Sequence, residues 1–106
     1  MAVVICDSPR IIVEADDYKE SRFKIIFSPF QAMRMVTIDC FDFKDDISFV
    51  PQTIVEVQNS TWIDELKRAL KLIDPRSDFM TKSRHFILPL QDDILEIVAW
   101  GVEVKS

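Results

Sequence analysis

The densest group of chemically capable side chains in this sequence is Asp39, Asp42, Asp45 and Asp46, interleaved with Phe41 and Phe43. Carboxylates at such spacing have three uses: to hold a hard cation, to share acid–base work, or to ring exposed aromatics on a binding surface. A calcium loop needs a glycine at its sharp turn, and the only glycine in the chain is Gly101. Hydrolysis by paired carboxyls needs a defined separation across a cleft, for which a 106-residue chain has little room. The binding surface is the use that remains, with charge steering a basic partner and phenylalanines anchoring it. Glu56 extends the same acidic stretch.

His85 is the sole histidine. Nucleophilic catalysis would set it beside a serine or cysteine and an orienting carboxylate. No local motif marks such a nucleophile, so a packed or surface histidine is expected. Structural zinc wants four Cys or His ligands, and Cys6, Cys40 and His85 make three. A single glycine also excludes the phosphate-cradling loop, the dinucleotide fingerprint and the G-x-S-x-G elbow. Neither metal nor cofactor is therefore expected. Two cysteines are too few for a disulfide framework and read as free thiols, buried as small hydrophobes in a reducing cytoplasm. The N-terminus lacks the basic region of a signal peptide, and no run reaches the ~18 apolar residues of a membrane span.

Charge is distributed unevenly about its total of −5. Residues 39–65 carry seven acids (Asp39, Asp42, Asp45, Asp46, Glu56, Asp64, Glu65) and one base (Lys44), net −6. Residues 66–88 carry six bases (Lys67, Arg68, Lys71, Arg76, Lys82, Arg84) and two acids (Asp74, Asp78), net +4. Arg76, Lys82 and Arg84 could hold a phosphate, but a nucleic-acid module is normally basic as a whole. This chain is acidic, and a basic protein suits it better.

The elements that must position these side chains alternate in period. Arg10 to Glu14 and Phe23 to Phe27 read as strands, rich in β-branched and aromatic residues. Pro29 should interrupt the second, having no ladder donor. Met33 to Phe43 alternates, with Val36, Ile38 and Cys40 on one face. Ile47 to Val50 is a short extended piece, and Thr53 to Gln58 another strand. Asn59, Ser60 and Thr61 then offer three N-caps to a helix from Trp62 to Ile73. Its Ile63, Leu66, Leu70 and Ile73 share one face, and Asp74-Pro75 ends it. Arg84 to Leu90 and Ile94 to Val104, split by Gln91-Asp92-Asp93, read as a hairpin. Leu95, Ile97 and Ala99 point one way and Glu96, Val98 and Trp100 the other, which suits a central strand. Trp62 should staple the helix to the sheet, and Trp100 should fill the end of the core.

These elements predict one α+β domain over residues 1–106: a mostly antiparallel sheet, one amphipathic helix on one face, and a C-terminal β-hairpin.

The stretch from Val57 to Lys67, with Ser60, Trp62, Leu66 and Lys67 at the helix start, precedes His85-Phe86-Ile87-Leu88 and Leu95-Glu96-Ile97-Val98-Ala99. This pattern resembles small bacterial immunity proteins of contact-dependent or polymorphic toxin systems, over about half of the chain. The resemblance implies no catalytic residue. It implies tight binding of a toxin domain, often a basic nuclease, through an acidic face.

The leading expectation is thus a non-enzymatic binding protein that meets a basic protein through Asp39, Phe41, Asp42, Phe43, Asp45, Asp46 and Glu56, with no nucleic acid or membrane involved. A small hydrolase or isomerase working from paired carboxylates or His85 is the alternative. A subunit of a homo-oligomer, motivated by the two-sided strand from Ile94 to Val104, is the third.

Overall fold

The computed structural model describes residues 3–16, 22–37, 54–90 and 93–105. Six strands form one antiparallel sheet: β1 (Val3–Asp7), β2 (Arg10–Asp16), β3 (Arg22–Thr37), β4 (Val55–Val57), β5 (Arg84–Pro89) and β6 (Asp93–Lys105). Their order across the sheet is β1-β2-β3-β6-β5-β4. One helix, α1 (Thr61–Ile73), and a short 3-10 turn, Phe79–Lys82, lie between β4 and β5. This is the α+β arrangement expected, and β5 and β6 pair antiparallel as the C-terminal hairpin. Leu90 N–H donates to the Asp93 carbonyl at 2.8 Å to close it.

The sheet does not stay flat. Phe27 faces Val102 across the β3–β6 ladder, and Phe86 faces Ile97 across the β5–β6 ladder. In a flat sheet those two phenylalanines would stand roughly 20 Å apart, two strand spacings across and five residues along. Their ring centroids are 5.5 Å apart. The sheet therefore folds over on itself and encloses a core of Ile11, Val13, Ile25, Phe27, Phe86, Leu88, Leu95, Ile97 and Ala99, all nearly solvent-free.

Ser28 to Ala32 on β3 and Ala99 to Gly101 on β6 make the corner. The register shifts between Phe30 and Ala32, so Gln31 is the extra residue of a bulge, which bends a strand and sharpens its twist. Phe27 and Phe30, three apart on β3, pack into the same core, as do Ala99 and Val102 opposite them on β6, so both strands turn over between these pairs. The expected interruption at Pro29 is thus corrected: the proline breaks the ladder, and β3 runs on to Thr37. Phe30 N–H donates to the Pro9 carbonyl at 2.9 Å, tying the β1–β2 turn to this corner.

Gly101 stands opposite Ser28 at the bend. Its φ is not positive, and an added Cβ would meet nothing nearer than the Ser28 carbonyl oxygen at 3.9 Å. The sole glycine is replaceable there. Gly101→Ala should raise stability by about 0.5 kcal/mol, through a less entropic unfolded chain; a loss above ~1 kcal/mol in urea melts would refute this reading.

The helix sits on the other face of the sheet. Ser60 caps it, its Oγ accepting from Ile63 N–H at 3.1 Å, and Asp74 closes it, N–H to the Leu70 carbonyl at 2.8 Å. Ile63, Met80 and Val98 form a second, smaller core with Ala32, Trp62, Leu66 and Leu70 against it. The periodicity placed Ile73 on this buried face. It is instead 86% exposed, because the helix outruns what covers its first two turns.

Other expectations also change. β1 is an additional strand at the sheet edge, and Cys6 on it is exposed rather than buried; Cys40 lies outside the described residues. Trp100, expected inside, keeps 36% of its surface. β6 is central, and from Ile94 to Ala99 its two faces are buried in the two cores, while Trp100 and Val104 further along remain exposed.

Candidate functional site

Four polar side chains converge on the helix side of the sheet. Arg34 on β3 and Glu96 on β6 are direct cross-strand partners. Glu96 also faces Ile87 on β5, which places His85 on the neighbouring diagonal of the same face. Ser60 arrives from the helix end. The turn that delivers it passes through Asn59, whose φ of 54° is left-handed, a conformation asparagine tolerates better than most residues.

The contacts run in series. Ser60 Oγ lies 2.7 Å from His85 Nδ1, and His85 Nε2 lies 2.8 Å from Glu96 Oε1. Arg34 then grips the same carboxylate, Nε to Oε2 at 2.6 Å and Nη2 to Oε1 at 3.2 Å. Ser60, His85 and Glu96 retain 7%, 5% and 4% of their surface, whereas the Arg34 side chain is about half exposed. Trp62 covers the series: its ring meets His85 edge-on at 5.2 Å, and the Arg34 guanidinium stacks 4.0 Å from its centroid.

Donors and acceptors match along the chain. In the tautomer with the proton on Nε2, His85 donates to the carboxylate and accepts from Ser60 O–H at Nδ1, while Ile63 N–H donates to Ser60 Oγ. Among the described residues, no buried side-chain polar atom lacks a partner. Burial pushes the Glu96 carboxyl upward, but hydrogen bonds from His85 and Arg34, together with the Arg34 charge, outweigh it and leave the group below its ordinary range.

A serine, a histidine and an acid in sequence have the order of an acyl-transfer triad. Attack needs an open Oγ, and here that oxygen is nearly buried and already caps the helix. What the series does in this geometry is bolt the start of α1 to three strands.

The residues expected from sequence fall elsewhere. Asp39, Phe41, Asp42, Phe43, Asp45 and Asp46 lie outside the described residues. Glu56 is on the edge strand β4, where Arg84 Nη2 donates to its Oε1 at 2.6 Å. That hydrogen bond lowers the Glu56 pKa against a slight opposing effect of burial. Its charge is largely answered within the chain. Sequence reasoning missed the joining of Arg34, Ser60 and Glu96 to His85. One signal pointed to it: Arg34 and Glu96 are opposite charges set singly within apolar runs, Met33 to Met35 and Ile94 to Ala99.

Among the described residues, no three His, Cys, Asp or Glu side chains cluster as a metal site would require, and no helix is long and apolar enough to cross a membrane. No protein-family model, curated protein or solved structure matches the chain.

Proposed function

We propose that this chain is a non-enzymatic, immunity-type inhibitor that occludes a basic partner, such as a toxin or nuclease domain, in the cytoplasm. The observation that carries the reading is the seven-to-one excess of acids over bases in residues 39–65, with Phe41 and Phe43 among the aspartates. Thr37 of β3 and Val55 of β4, the described strand residues on either side of the four aspartates, belong to one sheet. Binding is by charge steering and steric cover, with no bond made or broken. Since Glu56 is engaged by Arg84, the four aspartates carry most of the attraction.

The test is binding to the product of the adjacent gene, titrated by calorimetry at rising salt. Asp39→Asn, Asp42→Asn, Asp45→Asn and Asp46→Asn together should weaken binding about a hundredfold and flatten its salt dependence. Glu56→Gln should cost less than about threefold. Affinity unchanged in the fourfold variant would end the proposal.

A second reading, a serine hydrolase, is favoured by one observation, the Ser60–His85–Glu96 series. The two readings separate cleanly with a fluorophosphonate probe. The inhibitor reading expects Ser60 to stay unlabelled; stoichiometric labelling that Ser60→Ala abolishes would transfer the conclusion to catalysis.

A further inference from the structure

The two edges of β3 are not equally paired. β2 accompanies it only as far as Phe27, opposite Ile11, whereas β6 follows it on to Thr37. The β1–β2 turn closes the next stretch, where the Pro9 carbonyl accepts from Phe30 N–H. From Ala32 to Thr37, about 20 Å at ~3.3 Å per residue, no strand among the described residues lies on the side away from β6. Alternate residues of this stretch turn their N–H and C=O groups outward, as an edge strand must.

The side chains along this edge are open as well. Met33 and Met35 stand opposite Ile97 and Leu95 on the face that carries the larger core. Across that ladder exposure rises from 1% and 0% on β6 to 40% and 45% on β3. The apolar layer thus ends uncovered at the edge, in thioether side chains that adapt to varied apolar neighbours. Arg34, between the two, points to the other face, where Glu96 and Trp62 hold its guanidinium. Two of its five N–H donors go to Glu96, and the others have no acceptor among the described residues.

We propose that this free edge of β3 takes an extended segment of a partner protein by strand addition, with backbone pairing along Ala32 to Thr37. The segment reads apolar–acceptor–apolar. Its apolar side chains continue the layer beyond Met33 and Met35, and a carboxylate or amide oxygen between them meets the unused N–H groups of Arg34. β6 presents that pattern on the other side, with Ile97, Glu96 and Leu95 opposite Met33, Arg34 and Met35. The triplet is the same in either direction, so both strand orientations satisfy it. A second copy of β3 does not. The register that sets Met33 opposite Met35 also sets Arg34 opposite Arg34, like charges face to face. A Lys or Arg at the centre of the segment is excluded for the same reason.

A peptide-display selection with the full chain as bait tests it. Winners should carry the triplet with Glu, Asp, Gln or Asn at its centre and no Pro within it. A synthetic winner should slow amide exchange at alternate residues from Ala32 to Thr37 and leave α1 unchanged. N-methylating every second residue of that peptide should weaken binding more than tenfold in one phase and less than twofold in the other, as a hydrogen-bonded ladder requires. The chain carrying Met33→Lys and Met35→Lys should also bind more than tenfold more weakly. The N-methyl comparison alters the peptide alone, so it reads strand pairing whatever that variant does to the fold. No enrichment over an unrelated bait, a Lys or Arg at the centre of the triplet, or equal sensitivity in both N-methyl phases would each overturn the proposal. So would a dimer of the chain alone in sedimentation that the double lysine variant dissolves, since the occupant would then be a second copy.

Discussion

Glu96→Gln should destabilise the protein by about 3 kcal/mol at neutral pH, the scale of a buried ion pair losing one partner. The carboxylate accepts three hydrogen bonds, two from Arg34 and one from His85. A neutral amide of the same shape keeps one acceptor and turns its NH2 toward a donor. Arg34, half exposed, can return to water; His85, at 5% exposure, cannot. The loss then passes to the helix, because His85 is what Ser60 leans on.

The same residue sets a pH limit. Glu96 in the folded protein ionises below its ordinary range, so its contribution is complete above the unfolded carboxylate pKa, near 4.5. It is lost as pH falls from there through the lower folded value. Denaturation at a series of pH values between 3 and 7 should show parent stability falling on the acid side, and Glu96→Gln falling less steeply. A variant within about 0.5 kcal/mol of the parent at pH 7, with an equal acid slope, would show the series to be incidental to the fold.

How much of this was readable in the sequence depends on distance along the chain. The helix was legible because everything that defines it is local: Ser60 before it, a 3.6-residue period within it, Asp74-Pro75 after it. The hairpin was legible for the same reason. The Ser–His–Glu–Arg series was not, since its links join residues 25, 11 and 62 positions apart. Its one local signal was the lone charge of Arg34 and of Glu96, each set in an apolar run. Periodicity likewise placed Ile73 on the helix's apolar face but could not say that its cover ends first. The corner shows a third kind of limit. Pro29 and Gly101 were each visible as unusual residues, but a bend belongs to two paired strands, and only the register between Ser28 and Gly101 brings them together. Of the candidate site, Glu56 shows the cost of counting charges in sequence alone, because its neutralising partner Arg84 is 28 residues away.

That corner makes the other large effect calculable. Phe86→Ala should cost about 4 kcal/mol, the range for a buried phenylalanine that leaves a cavity behind. Its ring is 2% exposed, tilted 49° against Phe27 and lying under the Arg84 guanidinium, 4.9 Å away. Truncating Phe79, which is 46% exposed, should cost less than about 1 kcal/mol. The comparison of single variants tests burial only. Whether the sheet folds over is tested by the pair, because Phe27 and Phe86 sit on strands separated by β6 and meet only if β3 and β6 bend together. A double-mutant cycle with Phe27→Ala and Phe86→Ala should therefore give a coupling of about 1 kcal/mol, as directly packed rings do. Additivity within about 0.3 kcal/mol would mean the two rings do not touch in solution, and the corner at Ser28 and Gly101 would have to open.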